Sequence, residues 1–152
     1  MPRMTPVKGR RPRSIQLFAI SFLGAATCAF FVGLGNLELK QAAFAATFAW
    51  DGWNRDWTIV TLSAVLSIAL IPVALIYVFA SRIARWLVAI FTLIELARLP
   101  GMIGAFQAIG GATKWSYFAQ PVLLTVALVF LFLPTSNRWF YQGKDATAET
   151  LT

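Results

Sequence analysis

Three stretches of this chain carry no charged residue: Ser14 to Leu37, Trp57 to Ser81, and Trp115 to Asn137. A helix rises about 1.5 Å per residue, so crossing about 30 Å of hydrocarbon takes roughly 20 residues. Each stretch is long enough to do so. A soluble domain would break such a run, because its helices need a polar face and its strands are shorter. Composition points the same way. Hydrophobic residues make up 59% of the 152 and charged residues only 12%, with a mean hydropathy of +0.70. Soluble domains are roughly a quarter charged. Disordered, collagen-like, coiled-coil and disulfide-rich secreted architectures are excluded on the same grounds.

A fourth stretch is less clean. From Trp86 to Gln107 the chain reads WLVAIFTLIELARLPGMIGAFQ, with Glu95 and Arg98 inside it. Two charges lower its hydropathy, yet leaving it outside the bilayer would strand the apolar residues before Glu95 in water. The sequence therefore predicts an all-α integral membrane protein, a four-helix transmembrane bundle. Its helices fall at about 15–37, 58–80, 83–107 and 117–135 within a transmembrane domain of residues 14–141. Residues 1–13 form a basic tail and 142–152 a short polar one. A basic start before an apolar run also describes a signal peptide, but this run outlasts the usual h-region, so it is read as a span.

Orientation follows from Lys and Arg in the short loops. Arg3, Lys8, Arg10, Arg11 and Arg13 precede the first span, Arg82 and Arg85 sit between the second and third, and Arg138 and Lys144 follow the fourth. The opposite side holds Lys40, Arg55 and Lys114. Nine basic residues against three place both termini in the cytoplasm, and the expected membrane is a bacterial inner membrane. The net charge of +7 is mostly this bias and does not signal nucleic-acid binding. The N-terminal tail is also suited to anionic lipid, at about 1 kcal/mol per basic residue near the surface.

The longest loop, ELKQAAFAATFAWDGWNRDW over 38–57, predicts more than a connector. Gln41 to Trp50 contains good helix formers with Phe44 and Phe48 one turn apart, and Asp51-Gly52 is a stop signal. Trp50, Trp53 and Trp57 then crowd the boundary, where rings with one polar end are at home. The expectation is a short interfacial helix capped by an aromatic turn, with a lid or docking surface as the alternative.

The strongest polar constellation is Thr92, Glu95 and Arg98. Counting from Arg85 puts Glu95 about 15 Å deep, near the midplane. Arg98 follows at i+3, the favoured acid-before-base order. Pro100 then removes an N–H and frees the Leu96 carbonyl, while Gly101 loosens the next turn. A strip like this should face other helices or a water-filled cavity. Two readings are open. Glu95 could bind a proton or a cation with Arg98 tuning it, or the two charges could neutralise each other and pin the helix to its neighbours. Pro72 is expected to kink the second span. Ser63 with Ser67, and Ser21, Gly24, Ala25 with Cys28, offer small-residue seams for helix packing.

No histidine and a single cysteine leave little room for catalysis. The chain alone supplies no axial imidazole, intrachain disulfide, structural zinc site or Ser-His-Asp triad. The expectation is a non-enzyme without metal or cofactor. It would act as an accessory or scaffold subunit, held against the lipid bilayer and against a larger membrane protein or further copies of itself. The alternative is a small oligomeric transporter or ion-coupled carrier using Glu95 and Arg98.

Overall fold

The computed structural model describes residues 11–48, 52–98, 114–138 and 140–141. Every regular element among them is helical: α1 Arg13–Gly35, α2 Leu37–Phe48, α3 Arg55–Phe79, α4 Arg82–Ala97 and α5 Lys114–Phe132. A last helical stretch covers 134–138. Two helices, α1 and α3, are long and apolar enough to cross a membrane. The described part of α4 is 16 residues, and the apolar part of α5 runs over Phe118–Phe132.

Local chemistry sets the helix ends. The Pro12 carbonyl accepts from the Ile15 and Gln16 N–H groups at 3.1 and 3.2 Å and opens α1. At its far end Asn36 leaves helical geometry at φ −128°, and its side-chain amide donates to the Val32 carbonyl at 2.8 Å. The Asn36 carbonyl then accepts from Lys40 N–H at 3.0 Å and starts α2 at once. The helix expected from Gln41 therefore begins at Leu37, because one asparagine ends one helix and initiates the next.

Asn54 caps α3 by accepting from Trp57 N–H at 3.0 Å, and Ser81 caps α4 by accepting from Ala84 N–H at 3.3 Å. The tight α3–α4 turn passes through Ala80, whose φ of 48° is left-handed. An L-residue adopts that conformation at a cost of about 1–2 kcal/mol. Here the methyl group is 5% exposed within the core, which offsets part of it. α3 itself continues through Pro72 as helix.

The third span was expected to run helically to 107. Regular helix instead stops at Ala97, where Arg98 N–H donates to the Glu95 carbonyl at 3.2 Å in a tight i+3 closure. Pro100 disfavours helical backbone at the residue before it, so a stop this close to Leu99 follows. Residues 99–113 lie outside the described set. The helix expected over 117–135 is observed from Lys114 and is interrupted at Leu133, ahead of Pro134.

Helix α1 lies between α3 and α5 and packs most extensively on α5, while α4 touches α3 and α5. The α1 seam uses small residues. Ser21 and Ala25 are buried, and a methyl group at Gly24 would stand 3.6 Å from Leu123 Cδ1, an ordinary contact distance. Gly24→Ala should therefore be tolerated or stabilising, by up to about 1 kcal/mol from helix propensity. Thermal unfolding of the purified protein checks this, and a fall in midpoint would contradict it. Gly33 is tighter, since a Cβ there would lie 2.8 Å from Leu62 Cδ2.

The densest core is at the end where α1 begins and α5 finishes. Ile15, Phe18, Ile76, Ala84, Val88, Leu131 and Phe140 are all buried there. A hydroxyl cluster seals it. Ser136 is fully buried and donates to the Phe130 carbonyl at 2.7 Å, and its oxygen lies 2.8 Å from Ser14 Oγ. Thr135 Oγ1 is 3.0 Å from the same Ser14 oxygen. With its one proton given to the carbonyl, Ser136 accepts from the Ser14 hydroxyl, which in turn accepts from Thr135. Ser136→Ala would take the side-chain donor from the Phe130 carbonyl and leave Ser14 with Thr135 alone, and should cost about 1–3 kcal/mol, read as a lower unfolding midpoint that Ser136→Thr does not reproduce in full.

On α4 and α3 many other large apolar side chains point outward. On α4 the buried residues are Ala84, Val88, Ala89 and Thr92, whereas Ile83, Phe91, Leu93 and Ile94 are 45–75% exposed. On α3 Val65, Ile68 and Ile71 are more than half exposed. On α4 the smaller residues face the neighbouring helices and the bulk faces out.

Candidate functional site

Three polar constellations result, two of them at opposite ends of the helix set and one along α4. Thr92 is 3% exposed and belongs to the inward face with Ala84 and Val88, which lie at successive steps of four. Glu95 and Arg98 do not follow it inward. Their side chains are 46% and 68% exposed, joined by Arg98 Nη1 donating to Glu95 Oε1 at 3.2 Å. A step of three residues falls about 60° short of a full turn, so the three residues wrap around the helix rather than lining one face. The expected strip is thus split: one buried hydroxyl and one outward ion pair bordered by Phe91 and Ile94. Pro100 and Gly101 lie outside the described residues.

The segment between α1 and α3 folds back on itself. Phe44 of α2 meets the Trp53 ring at 5.4 Å and 62°, edge to face. Trp53 Nε1 donates to Thr58 Oγ1 at 3.0 Å, and that fully buried hydroxyl donates to the Asn54 carbonyl at 3.0 Å. Thr58, which sequence reasoning passed over, anchors α2 to the start of α3. Trp57 is 47% exposed beside it. Trp50 and the Phe48 side chain lie outside the described residues. A cleft of about 560 Å³ opens between the α1–α2 junction and Arg55, with Glu38 and Gln41 in its wall.

The opposite end is basic and aromatic. Arg85 Nη1 donates to Asn137 Oδ1 at 2.6 Å, and its guanidinium lies 4.1 Å from the Phe132 ring and 5.0 Å from Phe140. Arg82 stands 4.6 Å over Tyr141, and Arg11 5.4 Å over Tyr77. Each contact is a cation resting on a ring face. Together they gather basic side chains from α4 and from the segment before α1. The sequence signal was present in Arg82 and Arg85, one turn apart, and in the aromatics that follow Pro134. Read as loop charges, they spoke only to orientation. Among the described residues no three His, Cys, Asp or Glu side chains come together as a metal site would require.

No protein-family model, curated protein or solved structure matches this chain.

Proposed function

We propose that the chain is a four-span membrane protein, both termini cytoplasmic in a bacterial inner membrane, acting as a non-catalytic accessory or scaffold subunit. The observation that carries the reading is the outward Glu95–Arg98 pair among Phe91, Leu93 and Ile94. In a spanning α4, about 20 Å of helix separates Glu95 from the basic end. An ion pair at that depth facing lipid is costly, and it is stable when another protein covers it. The exposed aliphatic face around it supplies the contact area such a partner needs. Grouping of Arg11, Arg82 and Arg85 at one end of the helix set supports a single basic, cytoplasmic side. The packed α2–Trp53 turn supports an anchor at the outer boundary.

Native mass spectrometry on protein extracted gently from its own membrane tests this. The expected result is a complex with a different, larger membrane protein that dissociates when Glu95 and Arg98 are both replaced by leucine. Emergence solely as a homo-oligomer, with proton flux abolished by Glu95→Gln in liposomes, would replace the scaffold reading with a transporter.

A further inference from the structure

At the basic end, Arg82, Arg85, Trp86, Asn137, Phe140 and Tyr141 enclose a cavity of about 240 Å³. We propose that this cavity seats a phosphate group of an anionic phospholipid headgroup, held by Arg82 and Arg85. The wall contains two guanidinium groups one helical turn apart and no carboxylate. Like charges this close repel, and an anion between them removes the repulsion. Guanidinium is the side chain best matched to phosphate oxygens. Arg85 is held in place from three sides: Asn137 accepts from Nη1, and Phe132 and Phe140 lie against its faces. Its Nε is buried with no hydrogen-bond partner among the described residues. Donors are thus in excess and acceptors scarce. Because Asn137 Oδ1 is occupied by Arg85, its amide N–H groups are the part left to donate, and the Tyr141 hydroxyl adds another donor.

The lipid source is favoured by what adjoins the cavity. Ile83, Leu87 and Ile90 form an exposed apolar stripe down α4 from it, at 75%, 48% and 52% exposure. Trp86 and Tyr141, which line the cavity, are 61% and 64% exposed. A phosphate on the arginines would let acyl chains run along that stripe. The choice of lipid rests on the proposed membrane placement of α4. The phosphate site itself does not.

The test uses the full chain in mild detergent, delipidated and titrated by native mass spectrometry. The probes are phosphatidylglycerol, phosphatidylcholine and inorganic phosphate. Wild type should bind phosphatidylglycerol at least tenfold more tightly than phosphatidylcholine. Asn137→Asp is the decisive variant, because its carboxylate keeps the hydrogen bond from Arg85 while placing a negative charge in the cavity. It should retain helicity by circular dichroism and lose at least tenfold in phosphatidylglycerol affinity. Arg82→Gln should lose a similar factor, and Arg138→Gln, a basic residue outside the cavity, should stay within twofold. Tight inorganic phosphate binding that Asn137→Asp abolishes, without preference for the lipid, would keep the site and assign it to soluble phosphate. Unchanged phosphatidylglycerol affinity in Asn137→Asp or in Arg82→Gln would overturn the proposal, as would wild type that binds neither phosphate probe.

Discussion

Phe18→Ala should lower the stability of the folded chain by about 3 kcal/mol, the low end of the range of about 3–5 kcal/mol for truncating a buried phenylalanine. Phe18 is fully buried at the basic end, its ring 5.7 Å from Phe22 and packed in the same cluster as Ile15, Ile76 and Leu131. The low end applies because part of the usual penalty is transfer of the side chain from water. With α1 across a bilayer, as proposed, both reference states are apolar, so mainly the cavity and lost dispersion contacts remain. Phe31 on the same helix is 64% exposed and provides the contrast. Phe31→Ala should change stability by under about 0.5 kcal/mol. Denaturant titration of both variants in the same detergent measures the difference. Equal effects would mean that the inward and outward faces of α1 are not distinguished as the packing requires.

Which features were legible beforehand follows from how local their causes are. Helices α1 and α3 are written in the runs from Ser14 and from Trp57, since absence of charge is a property of contiguous sequence. The α1 seam at Ser21, Gly24 and Ala25 is nearly as local, because helical spacing alone puts small residues on one face. Asn36 was harder: its dual role depends on side-chain geometry that composition does not reveal. The separation of Thr92 from Glu95 required knowing which side of α4 its neighbours occupy. Hardest of all was the link between Arg85 and Asn137, 52 positions apart. It exists because the Ala80 turn places the start of α4 beside the end of α5, and because the helical stretch 134–138 beyond the break at Leu133 carries Asn137. Nothing in either segment alone announces that meeting.

Glu95→Leu and Arg98→Leu should each be far more damaging than the two together. Were the pair solvated, its exposure of 46% and 68% would make it worth about 0–1 kcal/mol, and each single replacement would shift the folded population only a few-fold. In the proposed membrane-spanning α4 the balance differs. Removing Glu95 leaves an uncompensated arginine at depth, for which insertion scales give about 2.5–3.5 kcal/mol. At 1.4 kcal/mol per tenfold, that is on the order of a 100-fold loss of correctly inserted chain, seen as a collapse in extraction yield. The double variant removes both charges and leaves leucines beside Phe91 and Ile94, so its yield should return to within a few-fold of wild type. Comparing all four proteins isolates the coupling from the individual losses. Nearly additive, small effects would place the pair in water and remove α4 from the set of spans. A recovered double variant that no longer holds a partner would locate the docking surface on this face of α4, because folding would then have been separated from recognition.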